Sequence, residues 1–330
     1  MIRARVLLCM LVLLVACGED PFEQRNVVSG LRILAARADL PYAKPGETVK
    51  IEALVHDGRD NPPEPGKVFW LPVPCIDPPG GHYYDCFPLI ESAFPLGVDL
   101  TPQLHEGRDV TMTIPPDALA NAKPVPGGAA EPSATAYVFL LACGGHVERV
   151  QRTTNLGANS MPLGCFDANR KRLDAVSSVF AFTRIAIFEN RRNAPPVLEN
   201  VLFHGGVVDR SVPIKIKKCE YEFWDWDWID PDCDREKFDI VFPDSSAELD
   251  PDNIGPNGEP ARETLWVDWY TSHGRFFDDR IVVWDPLVGR APSTEIEMER
   301  PRHPGTGTIW AVLHDNRGGA TWLEIPFETE

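Results

Sequence analysis

GTIWAVLHDNRGGATWLEIPF, residues 307–327, reads as two strands and the turn that joins them. Asp315-Asn316-Arg317-Gly318-Gly319 is the turn, because Asn and Gly accept the positive φ that tight hairpins demand. In the second strand Leu323, Ile325 and Phe327 fall on one face, the period of two that marks a strand with one side buried. Upstream, the same reading places strands at 212–217, 237–242, 263–270, 280–284 and 295–299, to set beside 307–314 and 320–327. Leu265, Val267 and Trp269 share a face in one of them.

Seven short strands around one core tryptophan describe an immunoglobulin-like sandwich. Asn193-Ala194-Pro195-Pro196-Val197 marks where this unit begins, since two prolines stiffen a short linker. Before it, strands are expected at 31–37, 48–56, 67–73, 109–114, 135–142 and 176–189. The segment 48–56 alternates clearly, with Val49, Ile51, Ala53 and Val55 on one side and Lys50, Glu52 and His56 on the other. The last two strands are apolar on both faces, so one of them sits centrally or packs against a further layer. Between the strands lie Pro- and Gly-rich segments at roughly 76–107, 115–133 and 144–175, expected as long loops with cysteines at their edges.

The N-terminus gives an address. Arg3 and Arg5 precede an unbroken apolar run from Val6 to Ala16, the length of a signal peptide. As a helix that run reaches only about 16 Å, roughly half the hydrocarbon thickness of a bilayer. Leu14-Val15-Ala16-Cys17 resembles a bacterial lipobox, which implies removal of 1–16 and lipid attachment at Cys17. Several acyl chains on one cysteine anchor firmly where a single chain is marginal. Gly18 stands where many Gram-negative lipoproteins carry an inner-membrane retention Asp, which by resemblance favours the outer membrane, with the protein facing the periplasm or the cell surface. The expected organisation is thus 1–16 signal peptide, 17–29 lipid-anchored tether, 30–192 first domain with long loops and 193–330 second domain.

Cysteine usage fits an oxidising compartment. Cys9 leaves with the signal and Cys17 takes lipid, so Cys75, Cys86, Cys143, Cys165, Cys219 and Cys233 remain. Four fall in the first half and two in the second, leaving three connectivities if bridges stay within domains. Neighbour pairing, Cys75 with Cys86, Cys143 with Cys165 and Cys219 with Cys233, is favoured because each bridge then staples one surface loop. Without a C-x-x-C or a nearby histidine pair, zinc is the weaker alternative. Charge excludes another class: removing Arg3 and Arg5 leaves 30 basic residues against 49 acidic ones, a surface that repels nucleic acid.

The most unusual local stretch is Phe223-Trp224-Asp225-Trp226-Asp227-Trp228-Ile229-Asp230. Extended, it would place Trp224, Trp226 and Trp228 on one face, either as packed aromatic surface or as a platform for stacking sugar rings. Around it, from Cys219 to Asp252, thirteen carboxylates face two basic residues. Asp225, Asp227, Asp230, Asp232 and Asp234 could supply the oxygen ligands calcium favours, although a solvated acidic face is the plainer reading. Asp250-Pro251-Asp252-Asn253-Ile254-Gly255 fails as a calcium loop at its fifth position. No nucleophile elbow, H-E-x-x-H helix, Walker loop or dinucleotide turn occurs, so no catalytic residue is assigned, and calcium is the one cofactor these residues leave open.

A family resemblance rests on particular residues. The segment 31–57, LRILAARADLPYAKPGETVKIEALVHD, is similar to the first two strands of bacterial Ig-like domains. Trp269 with Gly274, Trp284 and the stretch 310–322, WAVLHDNRGGATW, resemble PKD or Ig-like modules. Together with the lipobox and the Phe69-Trp70, Cys75, Tyr83-Tyr84 and Cys86 arrangement, the chain resembles Ig-like outer-membrane lipoproteins. The resemblance implies an all-β fold of two immunoglobulin-like sandwiches in tandem, held to the membrane through lipid at Cys17. It carries no catalytic residues, and with no catalytic motif elsewhere the favoured function is a noncatalytic binding or structural envelope module that engages a protein, glycan or matrix component. The alternatives are a surface polysaccharide hydrolase and a calcium-dependent adhesin.

Overall fold

The computed structural model of the chain describes residues 25–71, 75–77, 81–122, 124, 131–151, 161–219, 233–256 and 258–330. Its strands assemble into two immunoglobulin-like β-sandwiches in tandem. The expected signal peptide, the lipid site Cys17 and the first part of the tether lie outside the described residues.

In the first sandwich an antiparallel sheet of Leu31–Ala38, Thr48–Asp57 and Asp109–Thr113 faces a second sheet. The second sheet runs in the order Tyr42–Ala43, Ser178–Ile187, Ala134–Cys143, Lys67–Trp70 and His105–Glu106. Val49, Ile51, Ala53 and Val55 turn inward, as their alternation requires, and pack with Trp70, Val138, Leu140 and Ile185.

The strand Ala134–Cys143 is apolar on both faces because it serves two cores. Ala136, Val138 and Leu140 fill the sandwich, whereas Phe139, Leu141 and Cys143 face a third layer with Phe87, Ile90, Phe94 and Leu100. That layer is built from segments whose composition predicts loops. They contain the α-helix Phe87–Ala93 and a hairpin of His146–Arg149 with Leu163–Phe166. A seven-residue helix with Pro in its first turn is too short to show a helical period, although Pro fits that position without losing a hydrogen bond. Disulfides Cys75–Cys86 and Cys143–Cys165 close the layer.

In the second sandwich one sheet runs Gly206–Val207, Asn200–Phe203, Arg235–Val241, Ile296–Glu299 and Arg275–Phe276. The other runs Ile214–Ile216, Ala320–Thr329, Gly305–Asp315, Leu265–Thr271, Arg280–Asp285 and Gly289–Arg290. Trp269 is fully buried between them, with its ring 5.4 Å from Phe276. Leu323, Ile325 and Phe327 join it in the core. The strand Asn200–Phe203 and the hairpin of Leu249–Ile254 with Pro260–Arg262 carry too few alternating residues to be read from sequence. The disulfide Cys219–Cys233 closes the remaining pair of cysteines.

The sandwiches pack face against face, not end to end. A register slip between Ile33 and Ala35 lets one strand serve both units. Leu31 and Ala38 stay in the first core, while the neighbours Leu34 and Ala35 both reach a separate apolar cluster with Leu54, Tyr270, Trp310 and Val312.

Candidate functional site at the seam between the sandwiches

The seam starts from aromatic side chains that the second sandwich turns outward. Trp310 and Val312 alternate with the core residues Ile309, Ala311 and Leu313 on one strand, so that strand too is apolar on both faces. Leaving Trp310 in water would forgo about 2 kcal/mol of burial; instead Leu34, Ala35 and Leu54 cover it. The His56 ring lies 4.6 Å from the Trp310 ring, and its burial there lowers the imidazole pKa. Arg37 stacks its guanidinium 4.0 Å above Trp322 while bonding Glu52 across its own sheet. Two clefts, of about 300 and 260 Å³, open along this edge and share Arg37, Lys50 and Glu52.

At the linker end, buried charge replaces apolar contact. Asp315 opens the hairpin turn and accepts the backbone N–H groups of Arg317 at 2.8 Å and Gly319 at 2.7 Å. Its other oxygen accepts the Asn193 side-chain amide from the linker at 3.0 Å. Arg317 reaches back into the sandwich, donating to Glu263 at 2.7 Å and to Glu248 at 2.8 Å. The Glu263 side chain is wholly buried, and that burial pushes its carboxyl up to about 7 despite the Arg317 bond. Burial likewise raises Asp315, and it lifts the nearby Tyr42 phenol to about 12. A Cβ on Gly319 would stand 2.1 Å from the Asp315 carboxylate and 3.1 Å from Pro195, so only glycine lets the turn close on the linker.

A second buried carboxylate lies on the outward face of the same sheet. Asp268 receives a two-pronged bond from Arg280 at 2.6 and 2.9 Å, and His314 Nε2 stands 3.3 Å away. Burial opposes ionisation, but His314 and Arg280 outweigh it and hold Asp268 down to about 2. His314 also stacks on Trp266, at 5.3 Å between ring centres.

A further cleft, about 340 Å³, is walled by Val27, His273, Arg275, Glu299, Arg300 and Arg302. The base of the Cys219–Cys233 loop stands beside it, for Cys219 N–H donates to the Pro301 carbonyl at 2.9 Å. Trp224, Trp226, Trp228, Asp225, Asp227, Asp230 and Asp232 lie outside the described residues. Of the expected calcium ligands only Asp234 is described, and it is paired with Arg300 at 2.6 Å. The six cysteines stand in the three neighbour pairs. The Arg317, Glu263 and Asp315 cluster escapes sequence reading, because Arg317 sits in a turn whose composition says solvent and Glu263 lies 54 positions away.

No protein-family model matches the chain, and no curated protein matches it. Solved structures that the chain matches loosely include the fibronectin(III)-like modules of Clostridium thermocellum CbhA, 10% identical, covering 90% of this chain and 94% of that one at a TM-score of 0.22. Murine CEACAM1b is 10% identical, covering 90% of this chain and 100% of that one at 0.21. The Yersinia pseudotuberculosis adhesin InvE is 9% identical, covering 91% of this chain and 60% of that one at 0.22. Superpositions this loose carry no argument about function, and the sandwich assignment stands on the sheets themselves.

Proposed function

We propose that the chain is a lipid-anchored cell-envelope protein whose two sandwiches form a noncatalytic binding or structural module. The observation that carries this reading is where the buried charges go. Arg317 bonds Glu263 and Asp315, Asp315 bonds the linker, and Asp268 bonds Arg280 on the next strand, so these groups hold strands, a turn and the linker in place. A polysaccharide hydrolase of the two-carboxylate kind needs a raised carboxyl that reaches its substrate. Glu263 has the raised pKa, but its side chain is sealed behind Arg317.

Lipidation at Cys17 supplies the membrane attachment in this reading, and an envelope protein or a glycan is the partner. Labelling cells that express the full chain with a radioactive fatty acid tests the anchor. Label on the wild type and none on Cys17→Ser supports it; equal label on both, or none on either, sinks it. Crosslinking with mass spectrometry on the same cells tests the binding role, and recovery of no reproducible partner counts against it. For a glycan partner, Trp226→Ala removes binding while the fold stays intact; global unfolding refutes the stacking platform.

A further inference from the structure

We propose that residues 25–28 form a strap that fastens the N-terminal tether to the second sandwich. A pull on the anchor then meets the second unit at the strap, before it passes along the chain into the first unit, whose Arg32 side chain also donates to the Arg25 carbonyl at 3.2 Å. The proposal rests on the reading of Cys17 as the lipid site for the origin of the pull, and on described residues alone for the strap.

The chain order would suggest the opposite arrangement. A tether that precedes the first sandwich should pull on the first sandwich. Instead these residues add a short parallel pairing to the second one, centred on Val27 and Thr271. Thr271 N–H donates to the Asn26 carbonyl at 2.8 Å, and Val28 N–H donates to the Thr271 carbonyl at 2.9 Å. The Asn26 side-chain amide donates to the Phe276 carbonyl at 2.7 Å, and the residue is 5% exposed. Arg25 pairs with Asp279 at 3.2 Å. Val28 is buried in the seam cluster beside Tyr270 and Trp310, so the strap also seals the contact between the sandwiches.

The first sandwich is shaped to leave room for it. Gly58 N–H donates to the Gly30 carbonyl at 3.0 Å, and a Cβ at Gly58 would fall 2.2 Å from the Val28 carbonyl oxygen. No flexible side chain can yield at that point, because the obstruction is backbone. With Asn193 and Asp315 at the linker, the strap gives the pair of units a second tie at the far end of the strand Leu265–Thr271.

Orientation follows from reach. Eight residue steps separate Cys17 from Arg25, and a fully extended chain covers about 3.3 to 3.6 Å per residue, so Arg25 stays within roughly 29 Å of the lipidated residue. In this reading the Thr271 end of the second sandwich is kept within that distance of the lipid anchor. The disulfide-closed third layer belongs to the first sandwich, which the pull reaches only after the strap.

Hydrogen exchange on the full chain tests the strap, with the amides of Val28 and Thr271 as reporters. In the wild type both exchange slowly. Asn26→Ala removes one buried hydrogen bond and should speed both by roughly tenfold, the factor for about 1.4 kcal/mol. Gly58→Ala, which displaces the Val28 carbonyl, should do the same from the other side. On membranes, a fluorophore at the exposed His303 should be quenched by headgroup quenchers more strongly than one at the exposed Ser92. Fast exchange at Val28 and Thr271 in the wild type, or unchanged exchange in both variants, overturns the strap; reversed quenching overturns the orientation drawn from it. A chain without fatty acid at Cys17 whose two amides are still protected overturns the anchoring reading and leaves the strap's hold on the second unit standing.

Discussion

Glu263→Gln isolates the cost of keeping a buried carboxylate ionised at the linker. In the folded chain burial raises Glu263 from 4.5 to about 7. A group whose folded pKa lies above its unfolded value weakens the fold when ionised, and it gives that stability back as pH falls through the folded pKa toward the unfolded one. Applied to these two values, the linkage relation gives a penalty of about 3.3 kcal/mol at pH 8 and about 0.8 kcal/mol at pH 5. Gln keeps the shape of Glu but removes the titration, so the stability difference between wild type and variant should move by about 2.5 kcal/mol between those pH values, in the variant's favour at pH 8. The lost acceptor toward Arg317 adds an offset of about 1 kcal/mol that does not depend on pH. Urea unfolding at fixed ionic strength, with m-values compared, reads the difference directly. A difference that stays flat from pH 5 to 8, or that moves the other way, would show that Arg317 holds Glu263 ionised at an ordinary pKa and would refute the reasoning. Adding Arg317→Met gives the converse check: alone it strands Glu263 and costs about 3 to 5 kcal/mol at pH 8, and Glu263→Gln in the same chain should restore much of that.

Asp268, held down to about 2 from 3.8, contributes stability that is present above pH 3.8 and is lost as pH falls through about 2; Asp268→Asn should flatten the acid limb of the unfolding profile by about 2 kcal/mol. An acid limb identical in the two proteins would remove Asp268 from the account. Replacing Cys143 and Cys165 together by Ser opens a closed loop of 22 residues and should cost about 3 kcal/mol, read by chemical denaturation, with the third layer losing hydrogen-exchange protection before the sandwich does. Trp310→Ala should cost about 3 to 5 kcal/mol and broaden the distance distribution between labels placed on the two units. Loss of stability with an unchanged distribution would mean that the seam is not set by this side chain.

Several parts of this architecture can be read from residue order because their physics is local. The alternation of Val49, Ile51, Ala53 and Val55 fixes which face of its strand is buried, and the Asn-Arg-Gly-Gly turn fixes a hairpin. Neighbour pairing is the expectation because each bridge then closes a small loop, and the fold brings all three pairs together. The stretch 135–142 signals a further layer through its two apolar faces, but not what that layer is made of. Its helix of seven residues and its short hairpin are held by packing and disulfides, which leave little periodic trace.

The seam is a different matter. The strand Gly305–Asp315 is apolar on both faces, and such a run fits a central strand, a membrane face or a partner equally well. The identity of the cover comes from Leu34 and Ala35, which share one face only because of a bulge that no residue type announces. The buried acid and base at the linker are equally hidden, since Asp, Glu and Arg in a turn are ordinarily solvated.

By itself the sequence determined an all-β chain of two sandwiches, a Pro-Pro linker between them and a lipobox-like N-terminus, because these follow from periodicity, turn chemistry and composition over a few residues. Only the tertiary structure decided that the sandwiches lie face against face and that residues 25–28 cross to the second one. Those contacts join groups far apart in the chain, such as Asn26 and Phe276 at a separation of 250 residues. Their stability depends on desolvation and shape at the point of meeting, and neither is a property of any local stretch.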